Sequence, residues 1–276
     1  MITPSARDLQ DRYRIAVELA QIAGKRTLQV FQQSDLGLER KRDGTPVTKA
    51  DRDAEAFLRE AIAAKFPQDG ILGEEFGEST GTSGVRWVLD PIDGTKAFVC
   101  GVPLYGTLIG VEWEGVPQIG VIELPALGER VHAATGSGAQ WERAGEQGRT
   151  ARVSAISELS EAALCTTDRG LFERVGGMGA LRGLESRVRL VRGWNDCYAY
   201  ALLATGRVDV VVDPVMEVWD VAPLVPIVKE AGGLITNWKG EAEPHASPCL
   251  ATNGKLHAAA RGAMHARPDE SGGRIG

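Results

Sequence analysis

Cysteine is sparse. The 276 residues hold four, at positions 100, 165, 197 and 249, far apart and without a CxxC pair. That pattern excludes a thiolate zinc site and a dense disulfide framework, and it reads as scattered reduced thiols in a cytoplasmic protein. Histidine is equally scarce: His132, His245, His257 and His265 show neither zinc-ligand spacing nor an Arg-His-Gly motif. No apolar run approaches the ~20 residues that a membrane helix needs. The start of the chain, Met1-Ile-Thr-Pro-Ser-Ala-Arg-Asp8, lacks the basic-then-apolar layout of a signal peptide. Basic charge is short as well. The net charge is −6, and nucleic acid is not the expected partner, because a phosphate backbone calls for a basic face.

What is present is an ordinary globular composition, 43% hydrophobic and 25% charged, with core enough for one large domain or two packed lobes. Residues 5–31 carry a helical stripe of Leu9, Tyr13, Ala16, Ala20, Ala23 and Thr27, with Ser5 and Asp8 as a capping pair. A polar stretch over 36–47 contains a Lys-Arg-Asp-Gly turn at 41–44. Its basic run, Glu39-Arg40-Lys41-Arg42, reads as a solvated loop. A second helix over 50–65 is capped by Thr48, with Asp51 in its first turn, where a carboxylate suits the helix dipole.

A short strand runs from 71 and ends in acid at Glu74, and a Gly/Ser/Thr-rich loop spans 77–84. Strands near 104–113, 116–123, 129–134 and 139–142 form an antiparallel meander. After residue 154, strands near 162–166, 188–191, 208–212, 234–236 and 249–252 are interleaved with helices at 170–183, 195–205, 219–231 and 254–264. The expected division is an N-terminal α+β lobe over 1–153, a C-terminal α/β lobe over 154–265, and a frayed tail over 266–276.

The most informative segment is Trp87-Val-Leu-Asp90-Pro-Ile-Asp93-Gly-Thr95-Lys-Ala-Phe98. An apolar strand ends in Asp90, a second carboxylate follows three positions on, and Gly94-Thr95 opens a helix. Pro91 cannot donate to a strand ladder, which leaves the Ile92 carbonyl able to face an ion. Glu74 and Asp90 end neighbouring strands, and Asp220 heads a helix in Val218-Trp219-Asp220. Glu74, Asp90, Asp93 and Asp220 thus converge from separate segments. Like charges so close repel unless a divalent cation holds them ionised, and Mg²⁺, with carboxylates, water and substrate phosphate as ligands, suits the set.

Other phosphatase chemistries fit poorly. Two residues separate Asp90 from Asp93, whereas the phospho-aspartate register of haloacid-dehalogenase enzymes has one between its acids. Cys100 has no neighbouring Arg, Cys165 and Arg169 are too close for a cysteine-phosphatase loop, and no Gly-Lys-Ser/Thr P-loop occurs. Hydrolysis by metal-bound water remains.

Gly73-Glu74-Glu75, the Trp87–Thr95 segment and Trp219-Asp220-Val-Ala resemble, in order and spacing, the three signature segments of the inositol monophosphatase family, and the likeness spans about residues 8–265. The resemblance implies a mixed α/β fold, the layered αβαβα sandwich of the inositol monophosphatase and fructose bisphosphatase type. It also implies two or three Mg²⁺ ions, lithium sensitivity and a homodimer. Carried over residue by residue, Glu74, Asp90, the Ile92 carbonyl and Thr95 surround a first metal, and Asp90, Asp93 and Asp220 hold a second. Asp51 with Thr95 orients and deprotonates the attacking water, and the Gly94 and Thr95 N–H groups take the phosphate. The implied reaction is in-line attack on phosphorus by metal-activated water, with no phosphoenzyme.

Within the family, Val191-Arg192-Gly-Trp194-Asn195-Asp196-Cys197-Tyr198-Ala-Tyr200, Val212-Asp213-Pro214 and Lys96-Ala97-Phe98 resemble the histidinol-phosphatase branch, although Asn195 departs from the glycine expected there. That likeness implies L-histidinol phosphate as substrate, with inositol monophosphate or another small phosphorylated metabolite as the alternative. Asp196 and Asp213 would face the ammonium and imidazole of such a substrate, or else serve as a helix cap and an Asp-Pro turn. Arg192 would touch the substrate or a neighbouring subunit, or lie on the surface. Trp194 and Tyr198 are expected in the core or the wall of the site.

Overall fold

The structure, a computed structural model, describes residues 6–33, 36–40, 46–194, 196–243, 245 and 247–265. The chain opens with helix α1 (Ala6–Val30); Ser5, the expected cap, lies outside the described residues. A two-stranded ribbon, β1 (Glu39–Arg40) and β2 (Pro46–Val47), stands where only a polar turn was expected. Lys41, Arg42 and the rest of that turn lie outside the described residues. Helix α2 (Lys49–Lys65) follows, then β3 (Gly70–Gly73), β4 (Gly77–Ser79) and β5 (Val85–Asp93). The predicted loop over 77–84 thus contains a strand. All three residues of β4 are exposed, so no alternation of apolar and polar positions marks it in the sequence.

After α3 (Thr95–Val99) come the meander strands β6 (Gly106–Trp113), β7 (Val116–Leu124), β8 (Glu129–Ala134) and β9 (Ala139–Arg143), then the short β10 (Arg149–Thr150). They complete an eight-stranded sheet of order β10-β9-β8-β7-β6-β5-β3-β4. The C-terminal half contributes β11 (Ala163–Thr166), α4 (Arg169–Arg174), α5 (Met178–Glu185), β12 (Leu190–Arg192), α6 (Asp196–Ala204), β13 (Val210–Asp213), α7 (Val218–Glu230), β14 (Leu234–Asn237), β15 (Cys249–Thr252) and α8 (His257–His265). The single helix expected over 170–183 is two, because the chain breaks at Gly176-Gly177, where Gly176 has a φ of +73°. The second sheet has the order β12-β11-β13-β15-β14.

Strand periodicity sorts the core into layers. On one face of the larger sheet, Leu89, Ile109 and Val121 pack beneath Ile15, Leu19 and Leu58 of α1 and α2. On its other face, Leu108, Ile122 and Val131 meet Tyr200, Leu203, Leu224 and Val228 of α6 and α7, which rest in turn on Val211 and Ala251 of the second sheet. The far side of that sheet, Val210 and Val212, is closed by Leu181, Leu184 and Ala260 of α5 and α8. Helix, sheet, helix, sheet, helix is the αβαβα order. The middle layer brings the N-termini of α6 and α7 to the C-terminal end of β5, where the acidic motif lies. No helix of the described residues is long and apolar enough to cross a membrane.

Candidate active site

The parallel pairing of β3 with β5 sets Gly73 opposite Leu89, and the Glu74 N–H donates to the Leu89 carbonyl at 3.2 Å. Glu74 and Asp90 are therefore delivered side by side at adjacent strand ends. Beyond Asp90 the β5–β6 register slips, with Asp90 opposite Leu108 but Asp93 opposite Gly106. This one-residue bulge at Pro91-Ile92 re-aims the chain. Asp90 Oδ1 accepts the Ile92 N–H at 3.0 Å, and the Thr107 hydroxyl donates to the Pro91 carbonyl at 2.8 Å. The Ile92 carbonyl, expected to be free, accepts the Thr95 hydroxyl at 3.0 Å. Gly94 takes a left-handed φ of +84° to start α3, which a side-chain-bearing residue adopts only at a cost.

Asp90, Asp93 and Asp220 each offer one oxygen within 4.8 Å of the others. Asp93 Oδ2 accepts the Cys197 N–H at the start of α6, at 2.5 Å. Asp220 Oδ2 accepts the Glu217 N–H at 2.8 Å. Burial, then neighbouring carboxylates led by Glu74 for Asp90 and by Asp196 for Asp93, push both well above the usual carboxylate range. Asp220 is raised to about 7, by burial first and then by Glu74 and Asp196. One buried and two half-buried carboxylates around one point form an oxygen donor set that a hard divalent cation fits and that is strained without one.

Asp51 is 1% exposed. Its Oδ2 accepts both the Thr48 N–H at 2.8 Å and the Thr48 hydroxyl at 2.5 Å. Burial raises its pKa to about 6, with Glu74 adding to the shift against the Thr48 hydrogen bonds. Among the described residues no hydrogen bond joins Asp51 to Thr95.

A cleft of about 670 Å³ opens over this group, lined by seven carboxylates (Glu74, Asp90, Asp93, Asp168, Asp196, Glu217 and Asp220) against two cations, Lys96 and Arg174. A wall of that sign repels a phosphate unless metal ions offset it. Lys96 reaches across to Asp168 at 3.9 Å. Arg174, Glu217 and the Cys197 N–H are site groups that sequence reasoning did not assign. Arg174, in the last turn of α4, carries no sequence signal, because the packing of the helix decides which side chain faces the cleft.

A smaller recess of about 50 Å³, lined in part by Asp93, Asp196, Asp213 and Asp220, continues from the cleft. Asp213 is 5% exposed. Its Oδ2 accepts the Tyr200 hydroxyl at 2.7 Å, while its buried Oδ1 has no hydrogen-bond partner. Burial, reinforced by Asp196 and opposed by the Tyr200 hydroxyl and the nearby Thr167 N–H, lifts its pKa to about 7. Asp196 heads α6 in the left-handed region, at φ +53°. Arg192 is not brought into the cleft; it is exposed and donates to the Val191 carbonyl at 2.7 Å. Trp194, expected in the core or wall, is 37% exposed, whereas Tyr198 packs partly buried against the central core. Asn195 lies outside the described residues.

A five-layered sandwich with carboxylates gathered at a strand bulge defines a metal-binding phosphatase architecture. The inositol monophosphatase family profile matches residues 8–269, and the chain belongs to the inositol monophosphatase family. It is 47% identical to a histidinol-phosphatase of Chlorobaculum parvum over 82% of this chain and 86% of that protein. It is 42% identical to a histidinol-phosphatase of Mycobacterium tuberculosis, over 90% and 95%. Among solved structures, an inositol monophosphatase from Zymomonas mobilis superposes with a TM-score of 0.81 at 34% identity, covering 95% of this chain and all of that one.

Proposed function

We propose that this protein is a Mg²⁺-dependent phosphomonoesterase that hydrolyses L-histidinol phosphate to histidinol and phosphate, a step of histidine biosynthesis. The observation that carries the reading is the recess: a buried carboxylate oxygen of Asp213 without a donor, next to the Asp90–Asp93–Asp220 cluster. A substrate with a phosphate at one end and an ammonium or imidazole N–H at the other satisfies both at once. The two histidinol-phosphatase relatives support the same substrate.

In this reading Glu74, Asp90, the Ile92 carbonyl, Asp93 and Asp220 hold two or three Mg²⁺ ions. Bound there, Mg²⁺ lowers the pKa of a coordinated water and offsets charge on the phosphate and the leaving oxygen. The Gly94 and Thr95 N–H groups orient the phosphate. Asp51, with a pKa near 6, is poised to accept a proton from water through the Thr95 hydroxyl, once that hydroxyl turns from the Ile92 carbonyl. Asp196 and Asp213, with Asn195, bind the cationic end. Arg192, directed away from the cleft of its own chain, serves a neighbouring subunit or the surface. We assign the protein to the cytoplasm as a lithium-sensitive homodimer, with lobes over 1–153 and 154–265.

The test is phosphate release from histidinol phosphate, inositol 1-phosphate, adenosine 3′,5′-bisphosphate and fructose 1,6-bisphosphate, with Mg²⁺ and with or without Li⁺. Histidinol phosphate is expected to show the highest kcat/KM. Preferred turnover of inositol 1-phosphate would transfer the assignment to the inositol monophosphatases.

A further inference from the structure

The turn that carries Glu74 into the cleft is held from below by helix α2. Glu55 is 0% exposed and lies one helical turn beyond Asp51, on the same face. Its Oε2 accepts the Glu75 N–H at 2.8 Å, and its Oε1 accepts the Phe76 N–H at 3.2 Å. One turn further, Arg59 donates to Glu55 Oε1 at 2.7 Å, to the Ser79 hydroxyl at 3.1 Å and to the Gly77 carbonyl. A carboxylate thus takes the N–H groups of the turn while a guanidinium takes its carbonyl. Gly73 makes the approach possible, since a Cβ there would lie 2.1 Å from Glu55 Oε1.

Stability alone gives little reason for this arrangement. Phe76, Gly77, Glu78 and Ser79 are exposed, so water reaches this side of the turn, and a buried ion pair is a poor stabiliser compared with apolar packing. Its geometric effect is specific. The last backbone bond from β5 to this strand is the one from the Glu74 N–H to Leu89. The next two N–H groups, of Glu75 and Phe76, pass to Glu55. Glu74 is therefore pinned on both sides, and the helix that pins it also carries Asp51.

We infer that Glu55 is a positioning residue: through the Glu75 and Phe76 N–H groups it fixes the reach of Glu74 toward Asp90, and so sets the affinity of the site for divalent metal. The inference rests on the metal-site reading proposed above. It is tested by titrating Mn²⁺ and Mg²⁺ calorimetrically into the substrate-free full chain and into Glu55→Gln and Arg59→Lys. Glu55→Gln keeps the shape of the side chain but presents an amide to donors on one side, and is expected to weaken metal binding ~10- to 100-fold, the range for groups that orient metal ligands. Arg59→Lys keeps the charge beside Glu55 and loses the fork to Gly77 and Ser79, and is expected to weaken it about tenfold, the low end of that range.

The Mg²⁺ dependence of turnover provides the second readout. A positioning role moves the midpoint of the Mg²⁺ titration upward and lets excess Mg²⁺ recover kcat, whereas a merely structural role lowers the active fraction at an unchanged midpoint. A folded Glu55→Gln chain that binds Mn²⁺ within about twofold of wild type, well inside the expected range, overturns the inference. If Glu55→Gln does not fold, an unchanged Kd in Arg59→Lys does so. Absence of binding to the wild-type chain removes the metal site itself, and the role of Glu55 with it.

Discussion

Asp51 and Asp220 occupy the same place in two different helices. Each is the third residue of its helix, and each carboxylate accepts the backbone N–H of its own N-cap residue at 2.8 Å, from Thr48 in α2 and from Glu217 in α7. The capping box fixes one oxygen of each and leaves the other for chemistry. The two then diverge by surroundings: an Asp220 oxygen lies within 4.8 Å of ones on Asp90 and Asp93, while Asp51 is buried outside that cluster, with Glu74 as its main charged neighbour. Asparagine at either position retains a cap acceptor, so both variants are expected to fold. Asp51→Asn should lower kcat by about 10²- to 10⁴-fold, the usual contribution of a general base, with metal affinity little changed. Asp220→Asn should lose metal affinity as well. Calorimetric Mn²⁺ binding beside steady-state kinetics separates the two, and equal loss of metal binding in both would contradict the division of roles.

The raised carboxylates link metal-free stability to pH. Asp213 and Asp220 rise from 3.8 to about 7 in the folded chain, and Asp51 to about 6. A group whose folded pKa exceeds its unfolded value favours the native state below the unfolded pKa, and that contribution is lost as pH rises through the folded one. His257 is lowered to about 4 by burial, which opposes the trend only below its unfolded pKa of about 6.5. Metal-free protein is therefore expected to show a higher Tm at pH 6.5 than at pH 8. Mg²⁺ should raise the Tm more at pH 8 and release protons on binding, read by calorimetry in buffers of different ionisation enthalpy. A metal-free Tm that climbs from pH 6.5 to 8 would count against burial as the cause of these shifts.

Asp93 connects the cluster to the middle helical layer, through the Cys197 N–H at 2.5 Å. Asp93→Asn keeps an acceptor for that N–H but removes a charge from a crowded, partly buried acidic group. Phosphate release is expected to fall at least about a hundredfold, as for loss of a metal-orienting contact or more. The metal-free Tm should rise by about 2–4 °C, corresponding to ~1 kcal/mol of relieved repulsion in a chain of this size. Calorimetric melting and phosphate release check both, and retained turnover would remove Asp93 from the proposed metal site.

Much of the convergence at this candidate site is legible because its parts are local. The Asp90-Pro-Ile-Asp93 spacing encodes the bulge through proline's missing N–H, and the acid at the end of β3 follows from a short apolar run. The αβαβα layering was implied by resemblance, and the alternation of neighbours such as Leu108 and Ile109 accounts for it physically. What the sequence concealed depends on backbone groups and side-chain direction. The Cys197 N–H that meets Asp93 has no residue-type signature. The Ile92 carbonyl looks free in the sequence because nothing there indicates where the Thr95 hydroxyl turns. Arg192 stands one strand end from the cleft in the chain order, yet its guanidinium bends back to Val191. The all-exposed β4 and the break at Gly176-Gly177 escaped for the complementary reason, since neither leaves a hydrophobic period to read.

In the proposed reading, substrate discrimination rests on Asp213. Its Oδ2 is occupied by the Tyr200 hydroxyl at 2.7 Å, and its Oδ1 is buried without a donor. A buried carboxylate whose second oxygen has at most a weak contact with the Thr167 N–H is under-satisfied, a cost that a cationic N–H recovers and a hydroxyl recovers only in part. Asp213→Ala should therefore raise KM for histidinol phosphate about tenfold to a hundredfold, as expected for a charge-assisted hydrogen bond of about 1.5–3 kcal/mol. The KM for an uncharged phosphate ester of similar size should change much less. Asp213→Asn keeps the volume and an acceptor for Tyr200, so any difference between the two substrates in that variant reports charge rather than shape. Since Asp213 has a pKa near 7 and binds a cation only when ionised, the wild-type KM for the aminated substrate should rise as pH falls from 8 to 6, and the Asn variant should lose that dependence. Parallel KM changes for both substrates, in both variants and across pH, would leave Asp213 as a partner of Tyr200 in the core and place substrate recognition elsewhere in the cleft.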